Sequence, residues 1–157
     1  MRRVAMAAMS VAAVVLMATS VFAQTPNFAG KWTPDAEKNT AMGGGGGRGG
    51  GRGGGMGGDM TITQDAKQLV ITRTTPNGEM KTTYNLDGSE SKNMMMGRGG
   101  QTEQVSKAKF DGNKLVITTT TANGENTQSW YMEGDHLVNE RTGGQGNVVK
   151  TYYKKAM

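Results

Sequence analysis

The chain has 157 residues, no cysteine, one histidine and 25 glycines, and hydrophobic residues make up only 35% of it. This length allows one domain, and the lack of cysteine excludes a disulfide scaffold, thiolate metal sites and a lipid-modified N-terminal cysteine. The formal charge of +5 falls to +3 once Arg2 and Arg3 are set aside with the N-terminal segment, and the remaining charges are interspersed in sign, which favours solubility rather than a nucleic-acid footprint.

Residues 1–23 have the organisation of a secretory signal peptide. Arg2 and Arg3 precede an apolar run over 4–18, and Val21 and Ala23 place small residues at the −3 and −1 positions of a cleavage site. The run is short for a membrane span, so an uncleaved anchor is the less favoured alternative. The pattern predicts cleavage after Ala23, a periplasmic or secreted location, and no stable membrane anchor after cleavage.

A glycine-rich tract occupies residues 42–58 and contains Arg48 and Arg52. Such composition predicts a disordered, flexible insertion in a single domain over residues 24–157. An RGG-type nucleic-acid segment is the alternative, but electrostatic binding scales with the number of phosphates neutralised, and two arginines in an exported chain predict no nucleic-acid partner. A phosphate-binding loop would need a helix after the glycines, and Asp59 leads into a strand instead.

The rest of the chain reads as β-strands separated by turn residues. Asn-Gly and Asp-Gly pairs between β-branched runs are typical of hairpins with type I′ turns, and no helical period appears after residue 24. Asp87–Gly88 is interpreted as a turn, and Met94–Met96 beside residues 97–100 as an apolar loop patch, with no strand assigned between them. We therefore expect an antiparallel meander of nine or ten strands, with strands over residues 28–33, 60–63, 69–75, 79–86, 101–110, 115–121, 125–132, 136–142 and 147–155.

Two patterns favour a barrel over a sandwich. Residues 69–88 align with 115–134, with ten of 20 positions identical, and both copies read as hairpins. In the last strand, alternation places Lys150 and Tyr152 on one face and Thr151 and Tyr153 on the other, so neither face is purely apolar. A thin-walled barrel with a mixed interior fits this better than a dry sandwich core.

Several segments resemble the calycin superfamily, in particular the fatty-acid-binding proteins. Phe28–Trp32 is similar to the family's opening Phe-x-Gly-x-Trp, and Lys150–Lys154 is similar to its closing Arg-x-Tyr strand. Residues 60–72 and 110–116 resemble its second hairpin and its Asp-Gly-x-Lys-Leu segment. The chain also resembles small exported bacterial proteins called lipocalin-like. The resemblance implies an all-β, antiparallel up-and-down barrel of 8–10 strands.

The same resemblance suggests where a ligand would bind. The family holds a carboxylate with two arginines and a tyrosine; Tyr152 matches the tyrosine, Lys150 stands in place of one arginine and Trp130 in place of the other. A lysine cannot form the planar bidentate pair, which disfavours a fatty acid as the ligand. Trp130, Lys150 and Tyr152 are therefore the candidate ligand-binding residues. The family's helical lid corresponds in position to the tract 42–58, where glycine disfavours a helix.

Other candidate chemistry is weaker. The thioethers of Met94–Met96 suggest a copper(I) site. Consecutive residues of a strand point to opposite faces, however, so an apolar loop patch is the preferred interpretation. His136 next to Asp135 suggests a catalytic dyad, yet neighbouring side chains at a strand start are expected to diverge, and no motif places a nucleophile. The sequence therefore predicts no metal, no cofactor and no enzymatic activity.

Taken together, these patterns predict an exported, monomeric, non-enzymatic barrel that binds a small hydrophobic or amphipathic ligand. The alternative is a structural or interaction protein of the cell envelope or secretome, whose barrel is packed and holds no ligand.

Overall fold

The computed structural model describes residues 25–41, 58–75, 78–97, 99–121, 124–142, 146 and 148–157. The predicted signal peptide, and the predicted insertion 42–58 except Gly58, lie outside these residues. Within the described parts of the chain, no helix combines the length and apolar character needed to cross a membrane.

One antiparallel sheet forms the molecule. Strands that follow each other along the chain pair with each other, except β4 and β5, and β1 also pairs with β10. The sheet order is therefore β4-β3-β2-β1-β10-β9-β8-β7-β6-β5. The predicted up-and-down all-β barrel is confirmed. The elements are β1 (Gly30–Pro34), α1 (Ala36–Ala41), β2 (Met60–Gln64), β3 (Gln68–Thr75), β4 (Gly78–Asn85), β5 (Asp87–Gly97), β6 (Gly100–Asp111), β7 (Lys114–Thr121), β8 (Gly124–Glu133), β9 (His136–Thr142) and β10 (Val148–Lys155).

The two end strands of the sheet, β4 and β5, meet through side chains. Asn93 Oδ1 accepts from the N–H of Thr83 at 2.8 Å, and its Nδ2 donates to the carbonyl of Thr83 at 2.9 Å. Ser91 Oγ accepts from the N–H of Asn85 at 2.7 Å. These contacts join the sheet edges along a seam that has no strand pairing among the described residues.

One end of the barrel, which we call the base, is packed solid. Trp32 Nε1 donates to the carbonyl of Phe28 at 2.9 Å, and both side chains are fully buried. Gln64 holds the incoming chain by accepting from the N–H of Phe28 at 2.9 Å and donating to the carbonyl of Pro26 at 2.8 Å. Around them lie apolar side chains from most strands, which supply the main hydrophobic stabilisation: Met60, Ile62, Leu69, Ile71, Ala108, Leu115, Ile117 and Leu137.

The short helix α1 lies on the outer wall, against β10. Asp35 caps its first turn, with Oδ1 accepting from the N–H groups of Glu37 and Lys38, both at 3.1 Å. Asn39 acts like a strand partner: its Oδ1 accepts from the N–H of Tyr152 at 2.7 Å and its Nδ2 donates to the carbonyl of Tyr152 at 3.0 Å. The helix thus covers β10 at the point where β1 ends.

Two features differ from the sequence expectation. The segment expected to be a turn and loop is the 11-residue strand β5, which pairs with β6 and has a register shift between Asp87 and Glu90. Its polar composition gives little strand signal, and its long partner supplies the ladder that decides its conformation. The helix α1 also lies where no helical period was found, because six residues are too few to show one.

The backbone angles at two Asp-Gly turns also differ from the expected type I′ geometry. Gly88 and Gly112 have positive φ angles of 84° and 59°, but no described non-glycine residue has a positive φ. Type I′ turns, which need two such residues, are therefore wrong for the Asp87–Gly88 and Asp111–Gly112 pairs.

Candidate functional site

The half of the barrel opposite the base, which we call the upper half, holds a cavity of about 510 Å³ that opens to solvent. This volume lies within the range of small-molecule sites. Strands β4 to β10 contribute its walls. The lining residues are Thr82, Tyr84, Asn93, Met95, Gln104, Ser106, Thr119, Thr121, Asn126, Thr127, Gln128, Arg141, Thr142 and Val149.

The lining is rich in hydroxyl and carboxamide groups. Only Met95 and Val149 lack a side-chain nitrogen or oxygen, and Arg141 is the one charged lining residue described. Ser106 and Thr119, on adjacent strands, share a hydrogen bond of 2.8 Å between their hydroxyls. The strand period explains this wall, because the upper ends of β7 and β8 place threonine, asparagine and glutamine at their inward positions.

Two arginines lie in this interior. Arg141 lines the cavity, and Arg73, only 7% exposed, donates from Nη2 to the Sδ of Met60 at 3.6 Å. Burial lowers the pKa of Arg141, and the positive charge of Arg73 lowers it further. Arginine stays protonated even so. Since no aspartate or glutamate is among the described residues that line the cavity, its interior is cationic.

Two tyrosine hydroxyls accompany the arginines. Burial raises the pKa of Tyr84 and of Tyr153, so both phenols are neutral at ordinary pH. Arg73 makes a hydrogen bond to the Tyr153 hydroxyl, and the charges of Arg73 and Arg141 act on both phenols. A phenol can donate to an anion that the guanidinium groups attract.

Hydrogen bonds link three side chains along the barrel wall, those of Tyr84, Gln128 and Asn139. Asn139 Nδ2 donates to Gln128 Oε1 at 3.1 Å, and Gln128 Nε2 donates to the Tyr84 hydroxyl at 3.5 Å. Trp130 on β8 and Asn139 on β9 are cross-strand partners. The next pair on the same face, in the direction of the cavity, is Gln128 and Arg141. Asn139 Oδ1 and Trp130 Nε1 are buried, and neither has a hydrogen-bond partner among the described residues.

The structure separates the three candidate residues that the sequence suggested. Trp130 is buried inside the barrel, with its ring centroid 6.0 Å from that of Tyr153. Lys150 and Tyr152 lie on the other face of the wall, so the three do not line one cavity. The inward residues of β10 are Val149, Thr151 and Tyr153, because Tyr153 pairs with the core residue Leu137.

The outer pair has its own surroundings. Tyr152 packs with Tyr131 and Val138 in a small second apolar cluster, and its hydroxyl donates to Glu133 Oε2 at 3.2 Å. Burial raises the pKa of Tyr152. Lys150 Nζ lies 3.6 Å from Glu140 Oε2. These contacts join β8, β9 and β10 on the outer wall.

Sequence reasoning missed the interior residues that replace this pair. A shift of one residue in the final strand would have matched Tyr153, rather than Tyr152, to the family's tyrosine. The sequence of β9 gave no signal for this, because Leu137 and Val138 are both apolar and both buried although they belong to different clusters. Arg73 and Arg141 occur in no motif, and only barrel closure brings β3 and β9 together.

The methionines of β5 were the remaining candidates for metal binding, and His136 was the remaining candidate for catalysis. Met94 is exposed and Met95 lines the cavity, so the predicted alternation of consecutive methionines is confirmed, although they lie in a strand and not in a loop.

His136 does contact its neighbour: Nδ1 lies 2.6 Å from Asp135 Oδ1, and Nε2 lies 3.0 Å from Asp35 Oδ2. The expected divergence was wrong, because the turn at Gly134 bends Asp135 back towards the ring. Among the residues described, no cluster of three or more histidine or acidic side chains could hold a metal ion.

Comparisons with known proteins give fold matches alone. No family model matches the chain, and no curated protein matches it in sequence. A mutant of the fluorescent protein UnaG superposes with a TM-score of 0.59 at 20% identity, covering 83% of this chain and 96% of that one. A mutant of the REP1-NXSQ fatty acid transporter gives 0.58 at 15%, covering 82% and 97%. Zebrafish ileal bile acid-binding protein complexed with cholic acid gives 0.54 at 20%, covering 82% and 98%.

The ten-strand circuit and these matches define the class of fold. The chain is an antiparallel up-and-down β-barrel with the same fold as the UnaG and fatty acid transporter structures. Its interior divides into a packed base and an upper half that holds the cavity, with Arg141 as the one charged lining residue described.

Proposed function

We propose that this protein binds a small amphipathic ligand with an anionic group, inside the upper half of its barrel. The observation that carries the proposal is Arg141, the one charged side chain described in the cavity lining, where no acidic side chain is among the described lining residues. Burying a cation is costly unless a counter-charge accompanies it. A ligand carboxylate, sulfate or phosphate would supply that charge.

The tyrosines support the same assignment. Tyr84 and Tyr153 place neutral phenol donors next to the guanidinium groups, and hydrogen bonds to a charged acceptor are about twice as strong as neutral ones. The fold matches agree in kind, since one is a fatty acid transporter and another is complexed with cholic acid. Both fatty acids and cholic acid are amphipathic anions.

The N-terminal features from Arg2 to Ala23 support export to the periplasm or the medium. The absence of a catalytic motif supports binding without catalysis. The alternative of a fully packed barrel is less favoured, because a cavity of about 510 Å³ opens above the base.

Native mass spectrometry of the purified protein, followed by titration with decanoate and cholate, would test the proposal. We expect a co-purifying organic anion, or binding of at least one of these two anions that saturates at one per chain. Arg141→Gln should weaken binding by about tenfold or more, since a charge-assisted hydrogen bond contributes about 1.5–3 kcal/mol. A clean protein that binds neither anion would contradict the proposal.

The matched control is Lys109→Gln. Lys109 is an exposed cation on the outer face of β6, so the substitution changes the net charge equally but leaves the cavity intact. Equal loss of binding in both variants would show that the effect is one of net charge and not of the interior.

A further inference from the structure

We propose that protonation of His136 holds helix α1 against the outer wall of the barrel, so that the docking of α1 depends on pH. His136 is the only histidine in the sequence. Its contacts with Asp35 and Asp135 lie on the outer wall, so the pH dependence is independent of the proposed ligand site in the barrel interior.

Both ring nitrogens of His136 face a carboxylate oxygen. Nε2 lies 3.0 Å from Asp35 Oδ2, and Nδ1 lies 2.6 Å from Asp135 Oδ1. A neutral imidazole carries a single N–H, so it can donate to one of these carboxylates and must turn a lone pair towards the other. An imidazolium carries two N–H groups and donates to both. The arrangement therefore fits the protonated ring.

The contact with Asp35 is the better shielded of the two. The side chains of His136 and Asp35 are 17% and 14% exposed, whereas that of Asp135 is 91% exposed. Water and salt therefore screen the His136–Asp35 ion pair less than they screen a surface pair. Loss of the ring proton removes this ion pair and leaves the ring one N–H for two carboxylates.

Three parts of the chain bring titratable groups to the ring: α1 with its cap, the end of β8 with the turn that follows it, and β10. These groups are Asp35, Lys38, Glu133, Asp135, Tyr152 and Lys154. The N–H of Lys38 and the contact with His136 hold the pKa of Asp35 below its ordinary value of 3.8, so Asp35 is a carboxylate above that pH. Histidine is the side chain that ordinarily changes charge between about pH 5 and pH 8, so His136 is the group of this set that titrates there.

Asp35 connects the ring to the helix. Its Oδ1 accepts from the first-turn N–H groups of α1, while its Oδ2 contacts His136. Further along α1, Asn39 forms two hydrogen bonds with the backbone of Tyr152, and the Tyr152 ring meets the imidazole edge to face with centroids 6.3 Å apart. When the ion pair at Asp35 is lost, α1 is held less firmly and the Asn39–Tyr152 hydrogen bonds open more often.

Amide hydrogen exchange of the full-length protein tests this, because the Tyr152 amide donates to a side chain of α1 and reports directly on its docking. Its protection factor, corrected for the intrinsic exchange rate at each pH, should fall by about fivefold between pH 5 and pH 8. The amide of Ile117, in the middle of β7, is the internal control and should keep its protection. The Hε1 NMR signal of the one histidine follows ring protonation in the same sample, and the two curves should share a midpoint.

Substitutions assign the effect to the ring. His136→Gln keeps an amide that can donate to Asp35 but cannot gain or lose a proton, so its Tyr152 protection should be equal at pH 5 and pH 8. Asp111→Asn, in a turn away from α1, is the matched control and should keep the wild-type pH dependence. If His136→Gln fails to fold, Asp35→Asn serves instead, because an amide at that position forms no ion pair with the ring in either protonation state.

Three results would overturn the proposal. The first is a Tyr152 protection factor that stays constant in wild type from pH 5 to pH 8. The second is an equal pH dependence in wild type and His136→Gln. The third is an equal loss of protection at Tyr152 and Ile117, because it would reflect the stability of the whole barrel and not the docking of α1.

Discussion

The carboxamide of Asn93 on β5 forms two hydrogen bonds with the peptide group of Thr83 on β4, at 2.8 and 2.9 Å. The Asn93 side chain thereby supplies hydrogen bonds that a neighbouring strand would make, at the seam where the end strands β4 and β5 do not pair. Asn93 also lines the cavity and is only 8% exposed, so the seam and the cavity share a residue.

We expect Asn93→Ala to lower the free energy of unfolding by about 1–2 kcal/mol, because it leaves two partly buried backbone groups of Thr83 without their side-chain partner. Urea denaturation measures this loss, and hydrogen exchange should show faster exchange at the Thr83 amide. Asn126→Ala, at an exposed lining position, is the control and should change stability little. An unchanged Thr83 exchange rate would show that the side-chain bridge does not hold the seam.

Arg141 is expected to oppose folding while it serves binding. Burial and the charge of Arg73 lower its pKa, which means that the folded state disfavours its charge. Arg141→Gln should therefore leave the ligand-depleted protein as stable as wild type, or more stable by up to about 1 kcal/mol. Thermal unfolding with and without a bound anion checks this. A clear loss of stability in the depleted variant would argue that Arg141 is a structural residue.

The adjacent tyrosines of β10 give a matched pair for the binding face. Tyr153→Phe removes a hydroxyl next to Arg73 inside the barrel and should weaken anion binding by about three- to tenfold. Tyr152→Phe removes a hydroxyl on the outer wall and should leave binding unchanged. Titration with the same anion decides between them, and the reverse order of effects would place the site outside the barrel.

Asp35 predicts a pH dependence for the docking of α1. The N–H of Lys38 and the contact with His136 hold the pKa of Asp35 below its ordinary value of 3.8. A depressed pKa stabilises the fold above the unfolded value, and this contribution is lost as pH falls below 3.8 through the folded value. Asp35→Asn should therefore lower the melting temperature at pH 7, and the difference from wild type should shrink below pH 3.8.

Asp111→Asn, in a turn away from α1, is the control for Asp35→Asn. It should leave the melting temperature close to that of wild type across the same pH range. A difference between wild type and Asp35→Asn that stays constant from pH 7 to pH 3 would mean that the carboxylate charge contributes nothing to the cap.

The sequence by itself determined the class of fold. Alternating β-branched runs, separated by glycine turns such as the one at Gly112, predict consecutive antiparallel strands, because each strand is a local pattern of period two. The packing of the opening Phe28–Trp32 segment was also predictable, because large aromatic residues such as Phe28 and Trp32 are usually buried. Strand β5 escaped notice because its polar residues form a strand only through pairing with β6.

The tertiary structure alone decided which face of each strand is inside. Alternation in β10 tells that Lys150 and Tyr152 share a face, but both faces of that strand are mixed, so the pattern cannot say which one meets the core. Pairing of Tyr153 with Leu137 turned Tyr153 inward, and α1 covered Tyr152 outside. Likewise Arg73 and Arg141 are 68 positions apart in the sequence, and only closure of the barrel brings their charges close enough to interact.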